Sequence, residues 1–275
     1  MRTSTLFAVA VAAILTATIA HADLISEYNI GTQDKNGNWS GIVDQGFDNP
    51  DQHLYVLFNQ YFAGQLGEDT YKSGNDLFND RGVDPNTTWT TSNSQLVGAF
   101  KAAALGHQMF MVDSITGEYV GNITDLVGTD NLLGGGITDL SGEAVINIPP
   151  GLDVTFQLNA YNGSLVYTWS SDTESNIDGM VHMLALDITD LYNKKQFDDN
   201  IDAYYESVFM FAWEDLHLTG WNAPLRADWD YQDFVAIVTN VKPTGDNAVP
   251  EPATLLLVGL GLAGTAWSAR RRNRR

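Results

Sequence analysis

Residues 154–169 read VTFQLNAYNGSLVYTW, and this stretch decides the kind of fold that the chain can adopt. Two runs of β-branched, aromatic and apolar residues, Val154–Tyr161 and Leu165–Trp169, lie on either side of Asn162-Gly163. An Asn-Gly pair between two such runs is a strong short-range signal for a β-hairpin. The stretch therefore predicts two antiparallel strands joined by a tight turn.

Further runs of the same kind lie before and after the hairpin. Each of them is short, and turn residues such as Pro149-Pro150-Gly151 bound them. Short strands separated by polar turns favour an antiparallel β-sandwich. The additional predicted strands are Ala144–Ile148, Met180–Asp187, Tyr205–Trp213 and Phe234–Asn240.

The N-terminal half predicts a few short helices beside this sheet. Asn49-Pro50-Asp51-Gln52 has the composition of a capped helix start, and apolar residues follow it at helical spacing from Leu54 to Tyr61. Ser92 to Gln95 repeats the capping pattern ahead of Leu96, Phe100 and Ala103. We therefore expect a mainly β protein with two short helices packed on or beside the sheet.

The predicted body runs from residue 23 to residue 248. We expect an N-terminal mixed part over residues 23–140 and a β-sandwich part over residues 141–248. The Gly134-Gly135-Gly136 run lies near the boundary and predicts a turn. The sequence leaves open whether the two parts are one domain or two.

Composition excludes several classes of function. The chain has no Cys, so it has neither disulfides nor thiolate nucleophiles. Asp and Glu number 34 against 14 Lys and Arg, for a net charge of −20, which repels a phosphate backbone. It also lacks the Gly-x-Ser-x-Gly and His-Glu-x-x-His hydrolase motifs. We therefore expect neither nucleic-acid binding nor enzyme activity.

Residues 1–22 have the pattern of a secretory leader. Arg2 supplies a positive start, and Leu6–Leu15 is an apolar run. Ala20 and Ala22 place small residues at positions −3 and −1 of a cleavage before Asp23. We expect signal peptidase to remove this leader and the rest of the chain to be exported.

Residues 249–275 predict a membrane-associated tail. Pro250, Glu251 and Pro252 precede Ala253–Ala269, an uncharged and mostly apolar segment about 25 Å long as a helix. A cluster of arginines, RRRNRR, follows it. Arginines beside a membrane span hold their end in the cytoplasm. We therefore expect a C-terminal transmembrane helix with the body outside that membrane.

The order of Pro-Glu-Pro, short helix and arginine cluster resembles the PEP-CTERM sorting signal of bacteria that make extracellular polymers. The resemblance implies processing by an exosortase, a membrane cysteine peptidase that acts on such tails. It also implies a location at the bacterial cell surface or in the extracellular matrix, with anchoring through the tail before processing.

Acidic residues crowd around two neighbouring strand ends. Carboxylates together with loop carbonyls are the ligands that Ca²⁺ prefers, and crowded carboxylates repel one another without a cation. Arg226 beside Asp228 offers an alternative, a salt-bridged or solvated acidic turn, and catalysis by paired acids is a third. The candidate calcium ligands are Glu214, Asp215, Asp228, Asp230 and Asp233.

The same acidic residues carry a second resemblance. Trp213-Glu214-Asp215, a loop, and then Asp-x-Asp-Tyr-x-Asp-Phe-Val over residues 228–235 resemble the ending of a β-sandwich domain of unknown function in bacterial surface proteins. Residues 176–183 resemble the preceding part of that pattern. The resemblance covers roughly residues 148–241, and it implies a sandwich placed just before the sorting signal.

Together these features predict an exported structural or adhesive protein of the envelope or biofilm matrix, stabilised by calcium. The alternative is a secreted polysaccharide-binding module, and a secreted hydrolase comes third. Exposed aromatic rings near the acidic loops would favour the polysaccharide-binding module, whereas buried rings would favour the structural or adhesive protein. A deep acidic cleft would favour the hydrolase. The rings concerned are those of Trp213, Trp221, Trp229 and Tyr231.

Overall fold

A computed structural model describes most of the body of the protein. The described residues are 24–31, 36, 38–43, 53–67, 70–101, 105–123, 137–145, 152–162, 164–201, 204–216 and 229–244. The expected leader, the Pro-Glu-Pro motif, the C-terminal transmembrane helix and the arginine cluster lie outside these ranges. Within the ranges, every helix is too short or too polar to span a bilayer.

The described body is mainly β, as the sequence predicts. Its strands are β1 (Gly82–Val83), β2 (Thr88–Lys101), β3 (Gly106–Asp113), β4 (Tyr119–Asn122), β5 (Thr138–Val145), β6 (Asp153–Tyr161), β7 (Leu165–Ser170), β8 (Met183–Asp187), β9 (Val208–Trp213) and β10 (Phe234–Thr244). Its helices are α1 (Leu24–Glu27), α2 (Leu54–Tyr61), α3 (Ala63–Leu66), α4 (Gly74–Arg81) and α5 (Thr189–Asp198), with a 3₁₀ turn at Thr173–Ser175.

All strand pairs are antiparallel, and they form one 10-stranded sheet in the order β1-β8-β9-β10-β2-β6-β3-β4. Strand β5 also pairs with β2, and β7 pairs with β6, which confirms the hairpin predicted from Asn162-Gly163. One edge of β2 pairs with β10 along its length. The opposite edge pairs with β6 near Trp89 and with β5 from Gln95 to Ala99.

The sheet bends at β2, so that β8, β9 and β10 face β3, β6 and β7 across a shared core. Met183, Phe211 and Phe234 come from the first group of strands, and Met109 and Phe156 come from the second. Trp89 of β2 lies among them, with its ring centroid 5.0 Å from that of Phe211. This two-layered, antiparallel arrangement fits a β-sandwich.

A second core lies on the outer face of β8, β9 and β10, under the helices. Strand β9 shows the division because all of its side chains are buried. Phe209, Phe211 and Trp213 enter the core between the strand layers, whereas Met210 and Ala212 enter the core under the helices. Alternate side chains of a strand point to opposite faces. The apolar run of β9 therefore serves two cores at once.

The first predicted helix is present as α2. Leu54, Leu57 and Phe58 are its buried residues, as the helical spacing requires. His53 precedes the helix and makes no side-chain capping hydrogen bond. The capping segment expected at residues 49–52 lies outside the described residues.

The second predicted helix, starting from Ser92 to Gln95, is wrong, because β2 runs through it. Leu96 lies in the core between the strand layers, whereas Val97 and Phe100 lie in the core under the helices. The pairing of β2 with β10 shifts in register at this point. Apolar residues at positions 96 and 100 fit a helix as well as a strand, and cross-strand pairing decides between them.

The short helices expected in the N-terminal half are present as α1 to α4, but the sequence did not indicate a further helix, α5, in the C-terminal half. The helix α5 follows β8, and it is polar apart from a few buried positions such as Leu191 and Tyr192. Its weak hydrophobic periodicity explains why the sequence did not indicate it. Strand β5 spans the expected boundary at residue 140, and β2 pairs with β10 from the other part.

Candidate functional site

Three of the candidate ligands meet where β9 ends and β10 begins. Glu214 and Asp215 follow β9, Asp233 precedes β10, and Trp213 pairs with Phe234 in the sheet register. A carboxylate oxygen from each acid lies within 4.8 Å of one from each of the other two. We call Glu214, Asp215 and Asp233 the acidic cluster.

Two members of the acidic cluster are buried. Glu214 is 0% exposed and Asp215 is 1% exposed. Backbone groups donate to the cluster: the N–H of Trp229 lies 2.7 Å from Glu214 Oε2, and the N–H of Asp215 lies 2.8 Å from Asp233 Oδ2. Such bonds offset part of the cost of removing carboxylates from water.

His107 approaches the cluster from β3. Its Nε2 lies 2.6 Å from Oδ2 of Asp215. The Asp215 carboxylate favours a protonated ring, but burial and the charge of Lys101 oppose it and lower the pKa of His107 to about 3. The imidazole is therefore neutral near pH 7, and Nε2 carries the proton that it donates to Asp215.

A second histidine holds the backbone of the cluster in place. Nδ1 of His182 donates to the carbonyl of Glu214 at 2.9 Å, and its Nε2 lies 3.0 Å from Asp178 Oδ2. The His182 ring stacks on Trp169, with centroids 3.6 Å apart and planes 5° from parallel. Trp169 Nε1 also donates to the carbonyl of Asp215 at 2.8 Å. Both carbonyls are thus fixed by buried rings.

The fourth described candidate, Asp230, is not one of the three acids whose oxygens lie within 4.8 Å of one another. Asp230 is buried, and Gln232 donates to it from Nε2 at 2.6 Å and from its backbone N–H at 3.2 Å. Asp228, together with Arg226, lies outside the described residues. The described site therefore consists of the acidic cluster, with Asp230 on the same loop.

The loop before β10 has an unusual backbone. Trp229 and Tyr231 both have positive φ, 61° and 55°, which is uncommon for large side chains. The Tyr231 hydroxyl donates to the carbonyl of Val181 at 2.8 Å, and the N–H of Val43 donates to the carbonyl of Trp229 at 2.9 Å. These contacts fix the loop that precedes Asp233.

The aromatic residues beside the acidic loops fill the cores. Trp213 and Tyr231 are 0% exposed, and Trp229 is 2% exposed. Burial, together with the charges of Glu214 and Asp178, raises the pKa of Tyr231 well above its usual value. Trp221 lies outside the described residues. The three described rings are therefore not available for stacking on a ligand in solvent.

The sequence did not indicate His107, Lys101 or Trp169 as neighbours of the acidic cluster. They lie on β3, β2 and β7, and no fixed spacing links them to the acids. Only the pairing order of the sheet brings them together. The proximity of Glu214 to Asp233 was predictable because both flank adjacent strand ends.

Three cavities in the described part of the surface lie away from the acidic cluster. Two of them, of about 680 and 590 Å³, share Asp80 and Arg81 in their linings. A smaller one of about 170 Å³ lies beside Tyr28 and Met180. None of the three is lined by the acidic cluster.

The chain continues beyond β10 into a segment that is similar to a known sorting tail. This segment marks an exported bacterial surface protein with a tail of the membrane-anchor type. Residues 248–272 match the family model of the PEP-CTERM protein-sorting motif, which confirms the resemblance of the tail. The motif implies processing by an exosortase. No curated protein and no solved structure matches the chain.

Proposed function

We propose that this exported protein is a structural component of the bacterial envelope or extracellular matrix, and that Ca²⁺ stabilises its body at the acidic cluster. The observation that carries the proposal is the convergence of Glu214, Asp215 and Asp233 within 4.8 Å of one another. Hard oxygen ligands at this spacing suit Ca²⁺, which takes six to eight of them at about 2.3–2.6 Å.

The balance of charge supports a cation at this place. Two like charges about 4 Å apart repel by about 4 kcal/mol at the effective dielectric near a protein surface. His107 is neutral near pH 7, because burial and the charge of Lys101 lower its pKa, so its ring adds no positive charge beside Asp215. A divalent cation at the acidic cluster would reduce this repulsion.

An acidic turn without metal is the alternative. The backbone N–H groups of Trp229, Leu216 and Asp215 already donate to carboxylates of the cluster. The Arg226 guanidinium, three residues before Trp229 in the sequence, could supply further positive charge. In that case the fold would need no calcium, and the experiment below separates the two arrangements.

The environment of the cluster supports a structural role over a hydrolytic or sugar-stacking one. Glu214 and Asp215 are buried, and the three cavities described above do not reach them. Trp213, Trp229 and Tyr231 are buried too, so they contribute to packing. A cation bound at the acidic cluster would therefore stabilise the fold. We accordingly propose no catalytic residue.

Calcium titration followed by the melting temperature tests the proposal. A ligand that binds only the folded state adds about 2.7 kcal/mol when it is a hundredfold above its dissociation constant. We expect millimolar Ca²⁺ to raise the melting temperature, and Asp233→Asn to abolish most of this rise. Asp198→Asn, which makes the same change at an exposed position on α5, should keep the full rise.

The same pair of variants tests the structural role in the producing bacterium. Asp233→Asn should weaken the cohesion of the matrix, and a calcium chelator should weaken the wild-type matrix in the same way. Asp198→Asn should leave cohesion unchanged. If Ca²⁺ leaves the melting temperature of the wild type unchanged, the metal is excluded and the hydrogen-bonded acidic turn replaces it.

A further inference from the structure

The two larger cavities form a groove on the side of the molecule that carries α4 and α5. They measure about 680 and 590 Å³ and meet at Asp80 and Arg81. Ligand pockets in proteins have volumes of about 300–1,000 Å³. We call the two cavities together the Arg81 groove.

The floor of the groove is held by a hydrogen-bonded network. Arg81 contacts Asp190 through two parallel bonds, Nη1 to Oδ1 at 2.7 Å and Nη2 to Oδ2 at 3.3 Å. Its Nε donates to the Tyr71 hydroxyl at 2.8 Å, and that hydroxyl in turn donates to Asp80. Burial and the bond to Asp80 raise the pKa of Tyr71 to about 12, so the phenol keeps its proton. The polar groups are thus preorganised.

An aromatic ring stands exposed at the rim of the groove. Tyr204 lines the groove and is 82% exposed. The side chain of Asn193 on α5 fixes the chain next to it, with Nδ2 donating to the carbonyl of Tyr205 and Oδ1 accepting from its N–H, both at 2.9 Å. Phe197, one turn further along α5, is 81% exposed. An exposed aromatic ring beside a polar groove, as Tyr204 is, indicates a binding surface.

The charge of the groove selects the ligand. Its lining contains four carboxylates against one guanidinium, on a chain of net charge −20. Such a surface repels anionic polymers. A ligand rich in hydroxyl groups and without charge can donate to the carboxylates while the apolar face of a sugar ring lies on an aromatic ring. The four carboxylates are those of Asp76, Asp80, Asp187 and Asp190.

We propose that the Arg81 groove binds an uncharged polysaccharide. Tyr204 provides the platform on which a sugar ring stacks, and the carboxylates of Asp80 and Asp190 accept hydrogen bonds from sugar hydroxyls. The inference rests on the proposed extracellular role, because it gives the exported body a polymer to hold. It is independent of calcium, since the groove lies on α4, α5 and β1 and the acidic cluster lies between β9 and β10.

Binding to the neutral fraction of the exopolysaccharide from the producing bacterium, separated from the acidic fraction by anion exchange, tests the proposal. The mature protein is immobilised and its affinity for each fraction is measured. We expect binding to the neutral fraction and a loss of about tenfold or more in Tyr204→Ala. Tyr119→Ala removes a tyrosine that is 61% exposed on β4, and it should change affinity by less than about twofold.

Each other outcome overturns the proposal. Affinity that is unchanged in Tyr204→Ala, or binding to the acidic fraction alone, excludes this groove as a neutral polysaccharide site. If the wild type is a dimer that Tyr204→Ala dissociates, and no fraction binds, the groove is an interface between copies. Repeating the measurement with calcium chelated, and recording the melting temperature of the same samples, distinguishes this failure from a failure of the calcium proposal.

Discussion

His107 contacts the Asp215 carboxylate through Nε2, and burial together with the charge of Lys101 acts on its ring. The ring is 0% exposed, and its pKa is lowered to about 3 from an ordinary value of 6.5. In the unfolded chain the His107 ring is therefore protonated below about pH 6.5. In the folded chain the same ring is protonated only below about pH 3. Linkage then requires that this residue's contribution to stability is complete above pH 6.5 and is lost as the pH falls.

We predict that the free energy of unfolding falls by up to about 1.4 kcal/mol per pH unit below pH 6.5 because of His107 alone. His107→Gln keeps an N–H group for Asp215 but has no titrating ring, so its stability should fall less steeply. Urea denaturation of both proteins at pH 7, 6 and 5 measures the difference. Parallel pH profiles for the two proteins would contradict the assignment.

Some of the contacts at the acidic cluster could be predicted from the sequence, and others could not. Glu214 and Asp233 could be expected to meet, because each is one residue from the end of a strand that the sequence predicts. The sequence could not show that Asp230 lies outside the acidic cluster, because its hydrogen bond to Gln232 depends on the local backbone of the loop. Lys101 was not predictable at all, because it lay in a segment that the sequence assigned to a helix.

Among the elements, β2 pairs with three other strands of the sheet. It contacts β10 along one edge and both β5 and β6 along the other. Gly98 pairs with Ile237 of β10 on one side and with Asp139 of β5 on the other. A Cβ at this position would stand 3.1 Å from Cδ1 of Ile237 and 3.3 Å from Cγ2 of Ile137. Because Gly98 has no side chain, the side chains of Ile237 and Ile137 can pack closely over β2 at this position.

Gly98→Val should therefore lower the stability of the protein by about 1–3 kcal/mol, the range found when a packed core is overfilled. Gly121→Val is the matched control, because Gly121 lies on β4 and a Cβ there meets nothing within 4 Å. It should change stability by less than about 0.5 kcal/mol. Thermal or urea unfolding measures both variants, and equal effects would contradict the close packing at β2.

The elements also explain which parts of the fold the sequence could predict. The hairpin of β6 and β7 was predictable because its turn and its alternating strands are encoded locally. The C-terminal part of β2 was not, since residues 96–100 are all buried and their pattern does not alternate. The helices α4 and α5 were missed because few of their residues are apolar. Ser73 does cap α4 by accepting from the Asp76 N–H, a signal that the sequence offers.

On the scale of the whole molecule, the chain crosses repeatedly between its two halves. Strand β5 spans residue 140, and β2 from the first half pairs with β10 from Thr88–Thr244 to Lys101–Phe234. The core under the helices likewise combines Leu77 of α4 with Met210 of β9. Neither half therefore keeps a complete core without the other.

We predict that residues 23–140 and residues 141–248, expressed separately, do not fold cooperatively. Each fragment would expose the apolar face that the other covers, so it should lack the near-ultraviolet circular dichroism of packed aromatic rings. Residues 23–248 in one chain should unfold in a single transition. A sharp unfolding transition for the isolated 141–248 fragment would show that the sandwich part is a separate domain.

The position of β10 has a mechanical consequence. This strand ends at Thr244, and the sorting tail begins at residue 248, so tension applied through the tail enters the fold at β10. Strand β10 is flanked by β9 and β2, with hydrogen bonds on both sides. A pull along its axis loads both ladders in shear, and many bonds must fail together. Tension on an edge strand could peel its bonds apart one at a time. Tension through the tail therefore acts first on β10, a strand that is hydrogen-bonded on both edges and resists being pulled out of the sheet.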